Sequence, residues 1–316
     1  MSIVEKAAER LKALQPDAQT PAHDELAPPQ DELTPRHDGA ASAHSAPTIE
    51  RLQRRAPTAD PVPEAVPACH VDRKALERAG LLPVGDEANS RLADELRRIK
   101  RPLIENTLGK GSKLLARAAR IMVASAMPGE GKTFAALNLA MSLAREVDFE
   151  VLLVDGDIPK SHITRVLGLE GRPGLMDVLV DEQRPVGEVI VRTDVPNLLV
   201  VPVGQRHPLT VELFASQRMQ HVLDELGGRN MRRLLVFDSS PLLAASESQV
   251  LASHMGQVVF VIAAGVTPQH IVNSALQALG DAQYVGLVLN MSSLPASENH
   301  YDSYYGQYSI GHREGA

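Results

Sequence analysis

The residues whose types and spacing most directly suggest chemistry are Gly129-Glu130-Gly131-Lys132-Thr133. An apolar run from Ile121 to Ala124, short enough for a buried strand, leads through Ser125, Ala126, Met127 and Pro128 into this segment. A helical pattern, Phe134-Ala135-Ala136-Leu137-Asn138-Leu139-Ala140, follows at once. A small-residue loop between a strand and a helix N-terminus turns successive backbone N–H groups toward an oligophosphate. Lys132 then reaches the β- and γ-phosphates and the Thr133 hydroxyl can ligate Mg²⁺. The expected nucleotide contacts are Met127, Pro128, Gly129, Glu130, Gly131, Lys132, Thr133 and Phe134. Ala126 stands where the commoner pattern has its first Gly, and a methyl group there still leaves room for close approach.

Mg·ATP brings about four negative charges and an octahedral cation, so such a site also needs carboxylates. Two apolar runs end in them: Val151 to Asp157, which closes on Asp155-Gly156-Asp157, and Leu234 to Asp238. Thr133, Asp157 and Asp238 are the expected metal ligands. In the paired motif one carboxylate faces Mg²⁺ while the other, Asp155, faces an incoming nucleophile; a structural cap at one of the two is the alternative. The nucleophile is suggested by the C-terminus, where four of the five tyrosines sit: Tyr301, Tyr304, Tyr305 and Tyr308. A phenol has a pKa near 10 and needs a nearby base or strict alignment before it attacks a γ-phosphate. Each phosphate added would bring about −1.5 to −2 charges, repelling an acidic docking groove and favouring release. An aromatic terminus without chemistry is the plainer reading of the same segment.

The elements that must position these groups alternate along the chain. Leu198 to Val201, Val258 to Ile262 and Val285 to Asn290 are further apolar runs of strand length, and Leu137 to Arg145, Met219 to Leu226 and Ile271 to Leu279 read as helices. Strands apolar on both faces and alternating with helices imply an α/β fold, a mostly parallel P-loop-type sheet with helices on both faces. Ligands bind beyond the carboxyl ends of such strands, where Lys132, Asp155, Asp157, Asp238 and Asn290 would collect, with Asn290 facing the adenine.

Composition sets the limits. The 316 residues are 44% apolar, enough for one core, and a net charge of −7 gives no reason to expect nucleic acid. Cys69 is the single cysteine and fits a reducing cytosol. The longest apolar runs fall far short of the ~20 residues of a membrane span. The expected organisation is a short amphipathic helix over 1–15, a disordered Pro/Ala-rich linker over 16–70, a catalytic domain over 71–292 and a flexible tyrosine-rich tail over 293–316. Asp72 is placed to cap a helix from Arg73 that stops at Gly80. Glu95, Arg98 and Arg101 then recur at i, i+3 and i+6, a charged stripe suited to cross-subunit ion pairs or simply to solvation. Pro102 is a point where that stripe can kink or end.

In combination, Ala126 to Thr133, Val151 to Asp157, Leu234 to Asp238, the Glu95-x-x-Arg98-x-x-Arg101 stripe, the His207-Pro208 to Glu212-Leu213 segment and the tyrosine cluster resemble the bacterial tyrosine kinases of polysaccharide export. The likeness is greatest to the stand-alone autokinases found with exosortase-type exopolysaccharide systems. That resemblance implies phosphorylation of tail tyrosines in trans from Mg·ATP, within a ring-like homo-oligomer whose contacts include the Glu95, Arg98 and Arg101 face. It also implies a cytoplasmic enzyme recruited to the inner membrane by the cytoplasmic segment of a chain-length or co-polymerase protein, and a cognate phosphotyrosine phosphatase. Two positions depart from the pattern: Pro159 fills a place often held by Arg, with Lys160 following, and Ser240 replaces the first of two prolines after Asp238-Ser239. Partition- and septum-site ATPases carry a lysine where this chain has Met127, and offer no reason for a tyrosine-rich tail. A nucleotide-binding adaptor without catalysis is the remaining alternative, against which the retention of Lys132, Thr133, Asp155, Asp157 and Asp238 argues.

Overall fold

A computed structural model describes residues 68–111, 114–228, 232–280 and 284–292, all within one compact unit, Ala56–Ala316. The helix expected over 1–15, nearly all of the 16–70 linker, and the tail with Tyr301, Tyr304, Tyr305 and Tyr308 lie outside the described residues.

Eight strands form one sheet: β1 (Ala68–Cys69), β2 (Arg120–Ser125), β3 (Glu150–Gly156), β4 (Val191–Thr193), β5 (Leu198–Val201), β6 (Arg233–Ser239), β7 (Gln257–Ala263) and β8 (Tyr284–Asn290). Their spatial order is β1-β4-β5-β3-β6-β2-β7-β8, and every pairing is parallel except β4 with β5. The uninterrupted apolar runs have a direct explanation. Met122, Leu152, Phe237 and Phe260 point into one core, and Ile121, Val123, Leu153 and Val236 into the other, so both sheet faces are buried. The strands foreseen from the sequence are present with ends moved by a residue or so. The short strands β1 and β4, two and three residues long at one end of the sheet, were not foreseen because so few residues carry no readable alternation.

Helices cover the two faces. On the first core lies α7 (Gln217–Gly227), whose Met219, Val222, Leu223 and Leu226 repeat at helical spacing and are fully buried. Burying four such side chains contributes roughly 6–12 kcal/mol before chain entropy is counted. On the second core lie α1 (Arg73–Arg78), α2 (Asp86–Thr107) and α3 (Lys132–Leu143). Asp72 caps α1 as expected, accepting from the N–H groups of Lys74 and Ala75, and Gly80 takes the left-handed conformation that ends it. Leu81 and Leu82 then turn back into the core.

Pro102 does not end the charged helix: α2 continues through it for a total of 22 residues. The proline removes one backbone donor, but the helix is held from both sides of it. Leu96 and Leu103 are buried, Lys100 donates to the Ser142 carbonyl at 2.9 Å and pairs with Glu146, and Arg101 pairs with Glu105 across the proline. Among the described residues no helix is long and apolar enough to cross a membrane.

Candidate active site

β2 has β6 on one side and β7 on the other, so the chain leaves it in both directions across the sheet and opens a crevice at its carboxyl end. The loop from Ala126 to Gly131 fills that crevice and feeds α3, whose first residue is Lys132. Gly129 and Gly131 have φ of 86° and 91°, left-handed values that favour glycine. Gly131 is also required by contact, because a Cβ there would lie 2.0 Å from Asn290 Nδ2.

The loop is braced from three directions. Glu130 is only 2% exposed, and its carboxylate accepts from the Met127 N–H at 2.6 Å and from the Thr267 hydroxyl. Asn290 Nδ2 donates to the Glu130 carbonyl at 2.9 Å. Ser125 Oγ donates to the Met127 carbonyl and accepts from Lys132 Nζ at 3.2 Å. Glu130, expected among the loop residues that contact nucleotide, also holds the loop's shape through its inward-facing carboxylate. Asn290, expected to face the adenine, lies at the loop and donates its side-chain amide to it.

The carboxylates gather opposite. Asp155 and Asp238 are paired across β3 and β6, and both are completely buried. Asp157, two residues on and 3% exposed, accepts from Ser240 Oγ at 2.8 Å and from the Lys160 N–H at 3.3 Å. Ser240, noted only as a departure in the sequence, thus orients Asp157. Asp155 Oδ2 accepts from both the N–H (2.8 Å) and hydroxyl (2.7 Å) of Thr164, in the short helix α4 (His162–Val166). That hydroxyl in turn accepts from the Val203 N–H at 3.0 Å. The cap that the sequence left open is therefore made by Asp155, through one oxygen. Thr164 follows Asp155 by nine residues with no motif to mark it, and was missed for that reason.

Three buried carboxylates and one buried lysine thus share this end of the sheet. Burial pushes the Asp238 carboxyl up to about 8, with the charge of Asp155 adding to the rise and Thr133 nearby opposing it. Burial likewise raises Asp155 to about 6, against the lowering effect of the two Thr164 bonds. Burial lowers Lys132, while Asp238 and Asp157 favour its charge. Neither oxygen of Asp238 has a partner at hydrogen-bonding geometry, nor does Asp155 Oδ1. Unpartnered buried oxygens beside a hydroxyl are the donor set of a small hard cation, which would offset the excess negative charge. Thr133, Asp157 and Asp238 therefore fit Mg²⁺, and the amides of the preceding loop fit the phosphates it accompanies.

The remaining residues singled out in the sequence lie elsewhere. Glu95, Arg98 and Arg101 are exposed on α2, outside this cluster. His207 opens the turn into α6 (Thr210–Ala215), where its carbonyl accepts from the Thr210 hydroxyl.

Comparison with known proteins agrees with this geometry. An AAA domain family model matches residues 118–264, which run from the start of β2 to just past β7. The tyrosine-protein kinase YwqD of Bacillus subtilis is 30% identical over 188 residues, covering 59% of this chain and 77% of YwqD. The succinoglycan biosynthesis transport protein ExoP of Rhizobium meliloti is 30% identical over 240 residues, 73% of this chain but only 29% of ExoP. The crystal structure of the VpsO kinase domain superposes with a TM-score of 0.52 at 28% identity, covering 63% of this chain and 98% of that domain. The chain belongs to the family of bacterial tyrosine-protein kinases.

Proposed function

We propose that this protein-tyrosine kinase phosphorylates Tyr301, Tyr304, Tyr305 and Tyr308 of a neighbouring copy from Mg·ATP, and that the cycle of modified and bare tails regulates exopolysaccharide chain length and export. The observation that carries the reading is the pair of unpartnered, fully buried Asp238 oxygens facing a preformed phosphate loop. A site so charged gains by taking up a cation and an oligophosphate together. Mg·ATP bound there would supply the transferable γ-phosphoryl group and the cation that neutralises the carboxylates. Lys132 and the loop amides hold the phosphates, and Thr133, Asp157 and Asp238 hold the metal. Asp155 aligns the incoming phenol and takes its proton through Oδ1, the oxygen that Thr164 leaves open. Asn290 presents its side-chain carbonyl oxygen to the adenine while its nitrogen keeps the loop in place.

The assembly proposed is a ring-like homo-oligomer in which the exposed Glu95, Arg98 and Arg101 face meets the next copy. The enzyme is proposed to work in the cytoplasm, recruited to the inner membrane by the cytoplasmic segment of a chain-length or co-polymerase protein and reset by a phosphotyrosine phosphatase. ExoP is named for succinoglycan biosynthesis transport, which supports an export setting for this chain. The domain limits proposed are a catalytic domain that ends at 292 and begins with β1 at Ala68, three residues before the expected start at 71, preceded by the 1–15 helix and the linker from 16 and followed by the 293–316 tail.

The test uses two chains. Purified Lys132→Ala should incorporate no phosphate into tyrosine when incubated alone with Mg·ATP. Mixed with an active chain whose four tail tyrosines are Phe, it should be labelled in its own tail. Phosphotyrosine in Lys132→Ala alone would refute the site, and no label in the mixture would refute transfer between copies.

A further inference from the structure

The chain is buried from Val151 through Ile158, and the first side chains to reach solvent beyond Asp157 are Pro159 and Lys160. The turn that presents them is pinned at several points. The Ser161 N–H donates to the Asp157 carbonyl at 2.7 Å, the Lys160 N–H to the Asp157 carboxylate, and Ser161 Oγ to the Ile158 carbonyl. Ser161 holds a φ of 50°, a left-handed value uncommon outside glycine. Onto this turn the segment between β5 and α6 brings a second cation: Arg206 Nη2 donates to the Pro159 carbonyl at 2.6 Å, and the arginine is exposed. Arg165, also exposed, follows on α4. Arg206 and Lys160 are neighbours on this turn, since Arg206 is bonded to the carbonyl of the residue directly before Lys160.

This is a positive lip in a chain of net charge −7, placed on the solvent side of the proposed metal-facing carboxylate. Mg·ATP needs no such lip for binding, because Lys132 and the loop amides already surround its phosphates from within. A segment arriving from solvent does meet it. The acceptor segment of this chain has matching charge, with Glu298 three residues before Tyr301 and Asp302 directly after it. We infer that Lys160 and Arg206 form a docking lip that selects acceptor tyrosines flanked by carboxylates, so that the substrate class is an acidic tyrosine segment. A lip of this sign also attracts a segment already phosphorylated, contrary to the expectation that added phosphates drive release through an acidic groove. Lys160 is a compact charge, whereas Arg206 can take a carboxylate or phosphate in two-point fashion. Both cations are exposed, so each contributes modestly and the attraction is screened by salt.

The inference rests on the tyrosine kinase reading, and the test separates the two. A fluorescent peptide spanning Ser297–Ser309 is titrated with the full chain by anisotropy, alongside the same peptide carrying Glu298→Gln and Asp302→Asn. The original peptide should bind about five- to tenfold more tightly at low salt, and the difference should shrink toward unity in 0.5 M salt, where the Debye length falls to about 4 Å. Lys160→Ala with Arg206→Ala should remove the discrimination and leave the KM for ATP within about twofold, because both side chains are exposed and the effect of Lys160 on Lys132 ranks behind those of burial, Asp238 and Asp157. Arg206→Lys should keep part of it. Equal binding of the two peptides by the unaltered chain would overturn the lip, as would a double variant whose loss falls on the KM for ATP. Discrimination in anisotropy with no phosphate transfer to any tyrosine would uphold the lip and refute the kinase mechanism instead.

Discussion

Gln257, the first residue of β7, is fully buried and joins three parts of the molecule. Its Nε2 donates to the carbonyls of Leu103 (3.1 Å) and Ala118 (2.6 Å), and its Oε1 accepts from Asn106 Nδ2 (2.8 Å). Leu103 and Asn106 belong to α2, the helix that carries Glu95, Arg98 and Arg101, so Gln257 ties the proposed contact helix to the strand beside the phosphate loop. Gln257→Leu keeps the volume and deletes these bonds. The Thr107 hydroxyl lies 2.9 Å from the Leu103 carbonyl and 3.2 Å from the Ala118 carbonyl, but its one hydrogen can serve only one of them at a time, so together the two carbonyls lose about 1–2 kcal/mol. Asn106 loses the acceptor of a buried amide, about 1–2 kcal/mol. The total is about 3 kcal/mol of stability, or roughly a 6–12 °C lower Tm for a domain of this size. Urea denaturation followed by circular dichroism measures it, with Gln257→Met as a second apolar variant. A loss under 1 kcal/mol, or a gain, in both variants would show that the carbonyls and amide find other partners, and that Leu96, Lys100 and Leu103 hold α2 without Gln257.

Glu130→Ala should weaken ATP binding by roughly tenfold, because the nucleotide must order a loop that has lost two charge-assisted bonds, while Glu130→Gln should recover most of the affinity; calorimetry checks both, and equal losses would mean that charge rather than shape matters. Replacing Glu95, Arg98 and Arg101 by Ala should reduce the assembly mass seen by light scattering and leave the melting temperature within about 2 °C, since exposed charges contribute little to folding. An unchanged mass would return the stripe to solvation.

The catalytic core was readable from sequence because its residues sit at the ends of apolar runs whose burial is complete. β2, β3 and β6 are each buried along almost their whole length, and a run of that kind followed by Gly, Lys or Asp leaves little freedom in where the polar residue points. The supporting residues were not readable, because they act through space and carry no local pattern. Thr164, Ser240, Thr267 and Arg206 come from four separate segments, and each touches the site with one side chain. Pro102 shows the reverse error. Its local preference against helix was real, but Lys100, Leu103 and Glu105 supply packing and pairing that outweigh one lost backbone bond.

Asp155 brings the structural and chemical readings together. A carboxylate that caps a helix is usually counted as structural, and Thr164 does fix its orientation through Oδ2. Yet those two bonds alone would depress its pKa, and complete burial overrides them and raises it to about 6. The result is a carboxylate that cannot rotate, has one unpartnered oxygen, and holds a proton more readily than an ordinary aspartate. Those are the properties a general base needs when its substrate is a phenol with a pKa near 10, because a base near 6 lies closer to its task than one near 4. In the proposed mechanism cap and base are two oxygens of one residue, and the cap sets the direction in which the other oxygen would act.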